Sequence, residues 1–156
     1  VEDYEKADRF DIAADTALKA GMKERAEGLY KRAVEDYEKA GWFSDAADIA
    51  LKAGMNERAV EVYEKAGWFR PAADTALKAG MNERAVEDYE KADRFRDAAD
   101  TALKAGMNER AEGLYTRAIG DYENAGRFGD AADTALKAGM NERAENLRTL
   151  VDLINK

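Results

Sequence analysis

Tyrosines at positions 4, 37, 63, 89 and 122 each stand six residues before a phenylalanine, at 10, 43, 69, 95 and 128. One pattern therefore returns five times, at spacings of 33, 26, 26 and 33 residues. Periodicity of this size builds a chain from small units, each leaving an apolar face that only its neighbour covers. In the middle copy the unit reads helix, turn, helix, stop. Gly67 suits the φ > 0 residue that closes a first helix, with apolar Trp68 after it. Pro71 is expected at the first position of the second helix, and Gly80 ends that helix as Gly67 ended the first.

Alanine dominates the apolar residues and there is a single proline among the 156 residues, which favours closely spaced helices over strands. An all-α chain follows. Long first helices are expected at about 23–39 and 108–124 and short ones at about 57–66 and 83–92. Second helices are expected at about 13–20, 45–53, 71–79, 97–105 and 130–138. The two spacings differ by seven residues, visible as inserts at 27–33 (EGLYKRA) and 112–118 (EGLYTRA). Seven residues are close to two turns at about 3.6 per turn, so an insert lengthens a helix and keeps its apolar register.

Along each second helix, alanines and a leucine (Ala72, Ala73, Ala76 and Leu77 in the middle copy) recur at helical spacing, and small side chains there let helix axes approach closely. Asn56, Asn82, Asn108 and Asn141 are placed to cap the following helices. Asp8 and Asp93 replace the turn glycine and are expected soft spots. Val1 falls within a first helix, and residues 142–154 keep an apolar stripe of Leu147, Leu150, Val151 and Ile154. These elements make one repeat domain over 1–156, with units at about 1–33, 34–59, 60–85, 86–118 and 119–144 and a terminal helix at 142–154.

A formal net charge of −8 disfavours nucleic-acid phosphates and anionic membranes as partners and favours basic ones. The chain lacks an apolar run near the roughly 20 residues a membrane helix needs, and no leader opens it; a soluble, cytoplasmic protein is expected. With neither histidine nor cysteine, catalytic triads, imidazole chemistry and thiolate zinc sites are unavailable. The carboxylates recur in every copy rather than forming one site, so no enzyme, cofactor or metal is expected. Asp15, Asp48, Asp74, Asp100 and Asp133 each precede a lysine by four residues, as Glu61 precedes Lys65, the spacing of helical ion pairs.

The series Tyr63, Gly67, Phe69, Ala72, Ala76 and Ala79 resembles the middle of the tetratricopeptide repeat (TPR), and the match recurs in all five copies. In the longer units Tyr30 and Ala33, and Tyr115 and Ala118, fall where that family has its early aromatic and its leucine. The resemblance implies a right-handed superhelix of stacked antiparallel helix pairs that docks other proteins along a groove lined by first helices. Carried over by position, the groove displays Glu35 and Glu38, then Glu57, Glu61 and Glu64, then Glu83, Glu87 and Glu90. Such a row attracts a basic segment. Lys65, Arg58 and Arg84 are placed to neutralise part of it.

Differences between copies mark a second candidate. Trp42 and Trp68 occupy the position held elsewhere by Arg9, Arg94 and Arg127, and in the same copies Ile49 replaces threonine and Val62 replaces aspartate. A position that accepts arginine touches solvent, so the tryptophans are candidate partner-binding residues, with Ile49 and Val62 beside them. The competing reading is that each ring folds back over its own helix end. The expected function is a protein–protein interaction scaffold; the alternative is a module whose terminal helices or tryptophans contact further copies of itself.

Overall fold

The computed structural model describes residues 2–156, with side chains from Arg9 onward. These residues form ten helices and no strand. In chain order they are α1 (Glu2–Lys19), α2 (Lys23–Lys39), α3 (Phe43–Lys52), α4 (Asn56–Lys65), α5 (Phe69–Lys78), α6 (Asn82–Lys91), α7 (Phe95–Lys104), α8 (Asn108–Asn124), α9 (Phe128–Lys137) and α10 (Asn141–Ile154). The chain forms two compact units, Val1–Gly80 and Met81–Lys156. Within each, every helix packs on the next one along the chain, and the short connections make neighbours antiparallel.

One turn recurs throughout. After α3, the Gly54 N–H donates to the Leu51 carbonyl at 3.0 Å and the Met55 N–H to the Ala50 carbonyl at 2.8 Å, the paired bonds of a Schellman end. Met55 then begins the next helix, its own carbonyl accepting from the Ala59 N–H at 3.0 Å. Gly67 and Trp68 repeat the arrangement after α4, with bonds of 2.9 and 2.8 Å. One residue thus finishes a helix and caps its successor, which leaves no slack in the connection. Gly54 and Gly67 hold φ of 71° and 73°, and Asp93 adopts the same left-handed conformation at φ 55°.

This geometry shifts several expected boundaries. Met55, Met81, Met107 and Met140 are the N-caps, without side-chain capping bonds, and the asparagines are already first helical residues. Pro71 is the third residue of α5, still ahead of the first N–H bonded within the helix, that of Ala72 to the Trp68 carbonyl. The expected break at Asp8 is absent. α1 continues through it, whereas Asp93 at the equivalent position of a later copy takes the left-handed turn. Val1 and the side chains of Tyr4 and Asp8 lie outside the described residues.

Alanine makes the interior. Ala46, Ala47 and Ala50 of α3, Ala72, Ala73 and Ala76 of α5, and their counterparts in α7 and α9 are buried. Tyr30, Tyr37, Tyr89, Tyr115 and Phe95 are buried with them, while Tyr63, Tyr122, Phe43, Phe69 and Phe128 are half-buried. The leucine expected on this face is not on it: Leu18, Leu51, Leu77, Leu103 and Leu136 are exposed. A residue adjacent to the inward-facing Ala76 is turned about 100° around the helix, which carries Leu77 out to solvent.

Candidate interaction surface

The first-helix glutamates divide by what they touch. Glu38 of α2 accepts bonds from Arg58 and from Lys65 (2.9 Å) of α4, and its side chain is only 10% exposed. Arg58 also donates to Glu61 at 2.8 Å. Glu90 of α6 pairs with Arg110 of α8 at 3.0 Å, and Glu123 of α8 pairs with Arg143 of α10 at 3.1 Å. Each pair spans 20 residues and ties one first helix to the next. Of the candidate groove residues, Glu38, Glu61 and Glu90 therefore serve this ladder. Glu64 is half-buried, and Glu35, Glu57, Glu83 and Glu87 are exposed. The constant separation of Glu38 from Arg58, Glu90 from Arg110 and Glu123 from Arg143 was the signal in the sequence for the ladder.

A second set of contacts joins three helices at a time. The Tyr30 hydroxyl of α2 donates to Asp15 Oδ1 of α1 at 2.5 Å, and Lys52 Nζ of α3 donates to Asp15 Oδ2 at 2.7 Å and to Asp11 at 3.0 Å. The other unit repeats it: Tyr115 of α8 donates to Asp100 of α7 at 2.6 Å, and Lys137 of α9 to the same carboxylate at 2.5 Å. The expected pairing of each aspartate with the lysine four residues on gives way here, because Lys52 and Lys137 reach back to the preceding second helix. Lys65 likewise serves Glu38, and Glu61 takes Arg58.

The hydrogen bond from Lys52, followed by that from Tyr30, holds the Asp15 carboxyl below its ordinary value. Burial and then the Asp15 bond push the Tyr30 phenol up, and burial with the Asp100 bond does the same to Tyr115. Desolvation opposes the charge on Lys52, but its bonds to Asp15 and Asp11 outweigh that and raise it. Protonated phenols between charged lysines and carboxylates are suited to holding helices, not to moving protons near neutrality. Among the described residues no three acidic side chains gather to hold a metal ion.

Trp42 and Trp68 sit at the N-cap positions of α3 and α5, with nearly identical backbone angles, and are 44% and 43% exposed. Trp68 leans on Tyr63 with ring centroids 6.3 Å apart. Arg127 does the same in its copy, its guanidinium 4.8 Å above the Tyr122 ring while it bonds Asp130 at 2.8 Å. The ring thus folds over its own helix end and still presents a large apolar surface. Ile49 and Val62 do not join that surface: both are buried in the core of their unit, with Ile49 on α3 and Val62 on α4. They replace polar groups that other copies bury, Thr134 and Asp88, so their apolar character serves packing.

A cleft of about 580 Å³ beside α7 and α8 is lined by Arg94, Phe95, Arg96, Asp97, Tyr122 and Arg127 among others. Arg94 there is bonded to Asp97 at 2.7 Å.

Short antiparallel helix pairs joined by one repeated turn, carrying the tyrosine–glycine–phenylalanine–alanine spacing, define a TPR-like helical-repeat protein. No family model and no curated protein matches the chain. Among solved structures it is similar to a protein of Podosopora anserina assigned as a kinesin light chain with nearly identical TPR-like repeats. That protein is 13% identical, with a TM-score of 0.46 over 97% of this chain and 96% of the other. A single-substitution variant of it gives 15% identity and a TM-score of 0.48 over 99% and 96%. BtubC (BKLC) from P. vanneervenii is 18% identical, with a TM-score of 0.42 over 96% of this chain and 82% of that one.

Proposed function

We propose that the chain is an interaction scaffold that holds a protein or peptide segment against its helical-repeat surface, with Trp42 and Trp68 as anchors. The exposure of two tryptophans at the same position of successive second helices is the observation that carries this reading. Aromatic anchors of this kind dominate binding energy where a partner desolvates them. The exposed carboxylates Glu35, Glu57, Glu83 and Glu87 and the net charge of −8 favour a basic segment over nucleic acid or an anionic membrane. Among the described residues no helix is long and apolar enough to cross a membrane.

The test is a screen of basic, aromatic-accepting peptides against the chain and against the double variant Trp42→Arg and Trp68→Arg. Arginine already occupies this position in other copies, so folding is retained. Loss of at least about tenfold in affinity is expected, with further weakening at high salt from the carboxylate contribution. Unchanged affinity of the double variant removes the anchors from the site. A second reading, self-association, is favoured by the exposed Leu150, Leu153 and Ile154 of α10. Sedimentation across concentrations separates the two, since a monomer at every concentration excludes it.

A further inference from the structure

Residues 1–22 and 86–107 differ at two positions, Asp11 against Arg96 and Ile12 against Asp97, yet they fold differently. The first stretch contributes one unbroken helix, α1, and the second the hairpin of α6 and α7. The decapeptide VEDYEKADRF, common to both, continues as helix through Asp8 and turns left-handed at Asp93. The start of α7 shows what separates the two outcomes. Asp97 is the third residue of that helix, where an acid favours an N-terminus, and it accepts a 2.7 Å bond from Arg94 Nε. Asp45 and Asp130 hold the same place in α3 and α9, and Pro71, which suits a first turn and not a helix interior, holds it in α5. α1 has Ile12 there, which offers neither signal.

The hairpin also lacks the usual obstacle to straightening. The turns after α2, α4 and α8 carry Gly41, Gly67 and Gly126, whereas Asp93 is tolerated better than glycine inside a helix and worse in the left-handed region. In a continuous helix the Phe95, Arg96 and Asp97 N–H groups, which precede the first helical bond of α7, reach the carbonyls of Lys91, Ala92 and Asp93. We propose that α6 and α7 form an exchange point for a second molecule of this chain. The hairpin opens at residues 92–94 into one helix over 82–104, and the released α7–α10 segment packs on α6 of the other molecule. The contacts between α6 and α7 and the Glu90–Arg110 pair are remade between the two molecules, so the hinge alone changes its energy. The product is a swapped dimer, favoured by concentration and by whatever weakens the turn.

The chain has no cysteine, so Asn82→Cys and Lys104→Cys, both at exposed positions, take a pair of spin labels. In the hairpin these two ends lie about 10 Å apart, the spacing of packed helices, and in one helix about 33 Å at 1.5 Å per residue. Labelled chain is refolded with an excess of unlabelled chain at low and high concentration, and monomer and dimer are separated by size exclusion. The dimer gives the long distance and the monomer the short one. Arg96→Asp with Asp97→Ile, the residues of α1, strengthens dimerisation by about tenfold, and Asp93→Gly weakens it by a similar factor. A dimer that keeps the short distance is joined elsewhere, as through α10, and overturns the proposal. Absence of dimer from the Arg96→Asp, Asp97→Ile chain at the highest concentration overturns it too. Should that variant not fold, the parent against Asp93→Gly decides: a parent without dimer, or equal dimer in both, refutes the exchange.

Discussion

Asp93 holds φ 55° at a turn where glycine occupies the equivalent positions 41, 67 and 126. Its N–H still donates to Glu90, and the Arg94 N–H to Tyr89, so the turn keeps both bonds and only the backbone preference is unfavourable. Asp93→Gly is therefore expected to stabilise the chain by about 0.5–1 kcal/mol, read as a higher midpoint in urea with unchanged slope. Ile49 and Val62 show how a substitution between copies misleads at this scale. Their change from polar to apolar resembles a binding surface until burial is known, and it then reads as packing in one hairpin. The exposed leucines are the converse, apolar by type and outward by one step of the helix.

At the scale of elements, two devices join helices that are not adjacent in sequence: the glutamate–arginine ladder between first helices and the tyrosine–aspartate–lysine lock between second helices. The part-exposed pairs Glu90–Arg110 and Glu123–Arg143 contribute little, about 0 to 1 kcal/mol each, so they fix register more than they add stability. The lock makes a pH prediction. Asp15 is held below its ordinary carboxylate value of 3.8, so its contribution is present above that value and is lost as pH falls through the lowered one. Asp15→Asn should lower stability at neutral pH and flatten the loss seen below about pH 4, measured by urea titration at a series of acid pH values. An acid limb as steep in the variant as in the parent assigns that loss to other carboxylates.

At the scale of the whole molecule, stability is a sum of units and their contacts with immediate neighbours, as in other repeat arrays. Removing residues 141–156 takes α10 from the cluster it shares with α8 and α9, in which Ala144 and Leu147 join Ile119, Ala131, Ala132 and Ala135. Faster hydrogen exchange is then expected in α8 and α9, with α1–α4 unchanged; a uniform acceleration along the chain contradicts nearest-neighbour coupling. The sequence by itself determined the helix pairs, the left-handed turns and the two long first helices, because glycine placement, helical periodicity and a seven-residue insert act through local backbone geometry. It also named Trp42 and Trp68 as surface residues, since copies bearing arginine report on solvent at that position. Tertiary structure alone decided that Glu38 and Glu90 belong to a ladder, and that Asp15 and Asp100 answer to distant lysines. Those outcomes depend on which side chains meet across packed helices, where a partner 20 or 37 residues away lies nearer than one a single turn along.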